Sequence, residues 1–189
     1  MPGAGGDADA RARVELAGTA TVAVRSTGGS GGLLTSASSS SPVRDGAAAG
    51  RATGSATAVS TLANGRAEAT TVVVGGQGGS GSGIGARGAA GGTILGTAEA
   101  RTGSSGTAKA TVEARGGSGG AGLAGAEGGA GGDALLENAA SGTGERVELR
   151  QAAFGGVGGA ASRSIPSPPG AGRGGDAVSL LDRTNLEGS

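Results

Sequence analysis

From Ala20 to Arg25 the chain reads Ala-Thr-Val-Ala-Val-Arg, and from Thr107 to Arg115 it reads Thr-Ala-Lys-Ala-Thr-Val-Glu-Ala-Arg. Small apolar and polar side chains alternate there with a period of two. A strand turns successive side chains to opposite faces, so this period predicts strands with one apolar and one polar face. The runs come in pairs around turn signals: Ala17-Gly18-Thr19, Ala63-Asn64-Gly65, Gly103-Ser104-Ser105-Gly106 and Gly142-Thr143-Gly144. Short turns of this kind between alternating runs predict hairpins, two short strands to each pair.

Between the paired runs lie glycine clusters. Gly28-Gly29-Ser30-Gly31-Gly32, Gly75-Gly76-Gln77-Gly78-Gly79, Gly116-Gly117-Ser118-Gly119-Gly120 and Gly155-Gly156-Val157-Gly158-Gly159 begin 47, 41 and 39 residues apart. A second marker, Gly5-Gly6-Asp7-Ala8, Gly91-Gly92-Thr93, Gly131-Gly132-Asp133-Ala134 and Gly174-Gly175-Asp176-Ala177, with Ala49-Gly50 as a degenerate copy, precedes each following cluster by about 24 residues. Self-similarity at this spacing predicts repeats over 4–45, 46–88, 89–128 and 129–172, with a partial repeat or tail over 173–189. The start of a fifth copy suggests a chain cut from a longer array.

Within the third unit Gly116, Gly119, Gly122, Gly125, Gly128 and Gly131 fall at every third residue. That period matches a polyglycine II type helix, in which a row of glycines lets backbones approach closely; a flexible Gly/Ser linker is the competing reading. Thr35 to Asp45, with its serine run and Pro42, and Ile165-Pro166-Ser167-Pro168-Pro169 read as loops.

Composition narrows the architecture. Of 189 residues 46 are glycine and one is aromatic, and only twelve Val, twelve Leu, three Ile and Phe154 are large and apolar. Burial of so few side chains does not offset the entropy of ordering the chain, so backbone hydrogen bonds and close packing of small residues must supply the difference. The fold class expected is all-β: a repetitive β-solenoid or stacked-hairpin array with polyglycine II type segments, the alternative being a largely disordered, low-complexity chain. Fifteen acids balance fifteen bases without blocks of one sign, which favours neither nucleic acid nor an anionic membrane surface, and no apolar run approaches spanning length. Cysteine is absent, so neither a disulfide framework nor a thiolate site is expected.

The motifs that could carry chemistry are weak. Gly128 through Leu136 fits a calcium-binding nonapeptide, with Asp133 as the candidate ligand, but that chemistry needs copies every nine residues and the neighbouring copies lie about forty away. Gly76, Gly78 and Gly81 follow a predicted strand in G-x-G-x-x-G spacing, with Glu99 downstream; the helix that would present its N-terminus to a pyrophosphate is missing from the glycine-interrupted sequence after them. With no His, Cys, Tyr or Trp the usual catalytic groups are lacking. Asp7, Asp9, Glu15, Glu99, Glu113, Glu145 and Glu148 sit mostly on alternating runs beside arginines, as a solvated charge-balanced face would have them. Phe154 reads as a packing residue. No enzyme activity and no cofactor are expected.

The Gly131-Gly132-Asp133-Ala134 markers, the Ala/Thr alternation and the Gly-Gly-Ser-Gly-Gly clusters together resemble Gly/Ala-rich repeats of bacterial exported surface proteins, PEP-CTERM-associated or adhesin-like. The resemblance implies an extracellular or cell-surface structural or adhesive protein acting through a multivalent repeat surface, with self-association or polysaccharide contacts as its partners. A receptor- or ice-binding polyglycine bundle, a disordered linker and a GC-rich reading frame without a selected product are the alternatives.

Overall fold

A computed structural model of the protein describes residues 3–32, 43–162 and 169–182. The serine-rich and proline-rich loops expected around 35–45 and 165–169 fall largely outside them.

The alternating runs form strands, and the chain is all-β. The first pair is β1 (Ala8–Leu16) and β2 (Thr19–Thr27), the second β3 (Ala52–Ser60) and β4 (Arg66–Val74). After a two-residue strand, β5 (Gly81–Ser82), come β6 (Ile94–Arg101) and β7 (Thr107–Arg115), then the short β8 (Gly122–Leu123). The last strands are β9 (Ala134–Glu137), β10 (Ala140–Thr143), β11 (Arg146–Phe154) and β12 (Ala177–Leu180).

Hairpins do not form. The two strands on either side of each turn enter different sheets, ordered β1-β3-β6-β10 and β2-β4-β7-β11, in which every pairing is parallel. The turn therefore carries the chain across a sandwich instead of along one sheet. In the described residues β9 pairs with β12 beside β6, and β5 pairs with β8.

The sheets pack face to face with a stagger. β2 lies over both β1 and β3, β4 over β3 and β6, β7 over β6 and the β9–β10 region, and β11 over β9, β10 and β12. Between them runs one core, built mostly of alanine: Ala20, Ala67 and Ala108 in one sheet and Ala56, Ala98 and Ala140 in the other are all at most 2 % exposed. Small side chains let the sheets approach, and the larger ones interlock where there is room. Gly54 and Gly96 lie side by side in register, and Thr71, Val73 and Val112 of the facing sheet occupy the space their missing side chains leave. The buried Thr71 hydroxyl donates to the carbonyl of Thr97 at 2.7 Å, so this polar group is not left unpaired.

Beyond the strand ends the chain runs through glycine segments that are also ordered. Gly29 donates its N–H to Gly6 O, Gly50 to Gly29 O, Gly76 to Gly50 O, Gly92 to Gly76 O, Gly117 to Gly92 O, Gly132 to Gly117 O, Gly156 to Gly132 O and Gly175 to Gly156 O, over 2.8–3.1 Å. This zigzag of backbone bonds laces the segments sideways into a second layer. What the layer needs from glycine is the missing Cβ. A Cβ on Gly117 would fall inside the van der Waals shell of Gly76 O, and one on Gly116 inside that of Gly132 O. Gly116 and Gly119 face the following segments while Gly117 and Gly120 face the preceding ones, which gives the three-residue period a geometric reason.

The architecture corrects the expected fold class. The domain is compact and globular, two parallel sheets closed over a common core, where a repetitive β-solenoid, a stacked-hairpin array or a disordered low-complexity chain was expected. The hairpin expectation fails because turn-linked strands share no ladder. The array expectation gives way to tertiary packing, because strands from along the whole described chain contribute to one continuous core closed between the two parallel sheets. Disorder is overturned by the buried core and the laced glycine layer, so glycine-rich, low-complexity composition here encodes tertiary packing.

Candidate functional site: the outer faces and the free sheet edges

On the outer face of the first sheet the polar half of each alternating run meets solvent. Asp9 accepts from Arg11 Nε at 3.2 Å and from Thr53 Oγ1 at 2.8 Å, while Thr97 Oγ1 donates to Ser55 Oγ at 3.2 Å. These residues, with Gly54 and Leu95, line a shallow recess of about 220 Å³. The hydrogen bond from Arg11, and after it that from Thr53, hold the Asp9 carboxyl below the ordinary carboxylate range. Arg13 pairs with Glu15 at 3.1 Å, and Arg101 donates through Nε to Glu99 at 2.7 Å. On the other sheet Arg115 pairs with Glu113 at 2.7 Å, and Lys109 lies 3.7 Å from Glu148 and 4.0 Å from Glu68 in one cross-strand row. Most of these pairs join residues two apart on a single strand, where the pleat turns both side chains to the same face.

The residues singled out in the sequence are dispersed by the fold. Asp133 Oδ1 accepts the backbone N–H of Asp176 at 2.8 Å. Asp7 does the same for Arg51 at 2.7 Å, and Asp45 for Arg87 at 2.9 Å. At Asp7 and Asp133 the aspartate of the glycine marker is thus a bracket that holds the start of the next parallel strand, β3 or β12, in line. Among the described residues no three acidic side chains converge around Asp133. Gly76, Gly78 and Gly81 belong to the glycine layer, and their N–H groups already donate to the carbonyls of Gly50, Ser118 and Ala121 instead of converging on a phosphate. Phe154, read as a packing residue, is 44 % exposed, and the Arg115 guanidinium stacks over its ring at 4.5 Å.

Sequence reasoning missed Gln151. Asn138 takes a left-handed conformation, φ 47°, and breaks the strand between β9 and β10. Gln151 of β11 fills the break: its Oε1 accepts the Ala139 N–H at 3.1 Å and its Nε2 donates to Leu136 O at 3.3 Å. A lone glutamine in an alternating run gives no sign of this.

The ends of the sheets are the more distinctive feature. Among the described residues no strand pairs with the outer side of β1, β2, β11 or β12. In a parallel ladder, alternate residues turn both backbone groups to the same neighbour. Arg146 N–H donates to Gly106 O at 3.1 Å, and Phe154 O accepts from Gly116 at 2.8 Å, so Val147, Leu149, Gln151 and Ala153 direct theirs to the free edge of β11. Arg66 donates to Gly18 O at 3.1 Å and Gly28 to Val74 O at 3.0 Å, so Thr19, Thr21, Ala23, Arg25 and Thr27 face the free edge of β2. The two edges present the complementary halves of the ladder that joins β2 to β4 and β7 to β11. At β1 every residue with an outward backbone, Asp9, Arg11, Arg13 and Glu15, is charged, whereas the matching positions of β3 are Thr53, Ser55, Thr57 and Val59. Charge on an edge opposes strand addition, and β2, with Arg25 alone, lacks that protection.

Comparison with protein-family models, with curated proteins and with solved structures gave no match. The resemblance to exported Gly/Ala-rich surface repeats is corrected by the structure, which is a globular, cross-packed all-β domain. Its core, internal ion pairs and hydrogen bonds are inconsistent with the adhesive repeat surface that the resemblance implied and with a disordered linker. The polyglycine-bundle reading falls with them, since the glycine segments here are one layer of a larger packed unit.

Proposed function

We propose that this protein is a non-catalytic assembly domain that joins end to end with further copies of itself, β2 of one copy adding in parallel to β11 of the next. The observation that carries this reading is the complementarity of the two free edges. The inward side chains fit as well: Ala20, Val22, Val24 and Ser26 of the incoming strand would stand beside Val147, Leu149, Gln151 and Ala153, the last four only partly covered in the single chain. Such an interface is heterologous, head to tail, and does not close on itself, so it generates linear assemblies.

Sedimentation velocity from low micromolar to near-millimolar concentration tests the reading, with Ala23→Pro as the blocking variant. The Ala23 N–H faces the free edge, so proline there costs no internal ladder bond. The wild-type chain should grow in mass with concentration and Ala23→Pro should remain a monomer of 17.1 kDa. A wild-type chain that stays monomeric throughout refutes the proposal.

A further inference from the structure

The stagger of the sheets places a restriction on that assembly. β2 lies over β1 and β3 as β11 lies over β9, β10 and β12. A second copy whose β2 pairs with β11 must therefore bring its own β1 alongside β9 and β10. That position is occupied by β12.

We infer that β12 is a displaceable plug that regulates end-to-end addition, a conclusion that rests on the assembly reading above. Its attachment is slight. β12 has four residues against the nine of β1, and all four are exposed. It pairs with β9 and leaves the outer side of β10 uncovered among the described residues. Two side chains bracket it, Asp133 accepting the Asp176 N–H at one end and Asn138 accepting the Asp182 N–H at the other, each at 2.8 Å. Between the brackets, Ser179 Oγ reaches the Gln151 carbonyl at 3.5 Å, one of the edge acceptors an incoming β2 would use. The plug thus covers the β1 position and touches the β2 position together. Displacing it exchanges a four-residue, solvated ladder for the nine-residue ladder of β2 on β11, so addition is favoured once the plug has left and is slowed while it stays.

The test uses two full-length variants and sedimentation velocity. Leu135 and Val178 are direct ladder partners on the outer face, and the chain has no cysteine, so Leu135→Cys with Val178→Cys forms a single defined crosslink that pins β12. Oxidised, this variant should associate at least about tenfold more weakly than wild type, and reductant should restore it. Asp133→Ala with Asn138→Gly removes both brackets while glycine keeps the left-handed turn, and should strengthen association about tenfold, the scale of two lost hydrogen bonds. If the oxidised variant assembles as well as the reduced one, the plug is refuted and the assembly reading stands. If no form associates at any concentration, both fall.

Discussion

A methyl group added to Gly117 isolates what the glycine layer contributes. The Gly117 N–H donates to Gly92 O at 3.1 Å and its carbonyl accepts from Gly132 at 2.8 Å. Its φ lies outside the left-handed region, so alanine is compatible with the backbone itself. The added Cβ, however, would collide with the Gly76 carbonyl, which is backbone in a segment bonded on both sides and cannot swing away. Relief requires the segments to part. That loses two hydrogen bonds worth about 1 kcal/mol each and adds overpacking strain of about 2 kcal/mol. The sum, about 4 kcal/mol, lowers the melting temperature of a chain this size by roughly 10 °C. Gly6→Ala is the matched control, since a Cβ there meets nothing within 4 Å and φ is again not left-handed. It should be neutral or stabilising by about 0.5 kcal/mol, through the unfolded chain. Differential scanning calorimetry with far-UV circular dichroism measures both. Equal shifts in the two variants, or a Gly117→Ala midpoint within about a degree of wild type, would refute the account of the layer as a Cβ-excluding lattice.

Leu136 is 1 % exposed, the largest fully buried side chain among the described residues, and Leu136→Ala should cost about 3 kcal/mol in urea unfolding with an unchanged slope. Gln151→Ala strips the Ala139 N–H and the Leu136 carbonyl of their partners; about 2 kcal/mol should be lost, and amide exchange at Ala139 should accelerate before the rest of the core. The Asp9 carboxyl, held down by Arg11 and Thr53, should titrate below its ordinary value of 3.8 in carboxyl-carbon NMR, and Arg11→Ala should move the midpoint up. Because the folded value is depressed, this group favours the folded state above pH 3.8 and the contribution disappears as pH falls through the folded midpoint.

The strands were legible because alternation is a local property: the run from Thr107 to Arg115 is β7 residue for residue. Their partners were not. A turn such as Gly103–Gly106 looks the same whether it folds a chain back within one sheet or carries it across a sandwich, and the choice is made by the alanine faces of strands about forty residues away. The glycine period was visible, while its consequence, a lattice of lateral hydrogen bonds, depends on segments that share no local signal. At the candidate site the informative residues were plain ones. Nothing in Val147 or Thr21 marks a free edge, because edge status follows from which strands lie beside them. Asp133 stood out by resemblance to a metal motif, and its carboxylate proves to serve the backbone of the next strand.

Partners in every long ladder stand 39 to 47 residues apart, as Thr107 does from Arg146 and Thr19 from Arg66. For a chain of 189 residues this is a relative contact order of roughly 0.2, at the slow end for single domains. Among the described residues no hairpin is available to start the search, since sequential strands do not pair. The first productive event must close a loop of about forty residues against its full entropy, after which each further strand closes a loop of the same length onto an edge already formed. Folding should therefore show a slow first step and faster later ones, so the parallel topology that leaves β2 and β11 unpaired on one side among the described residues also sets the rate at which the chain reaches its native state.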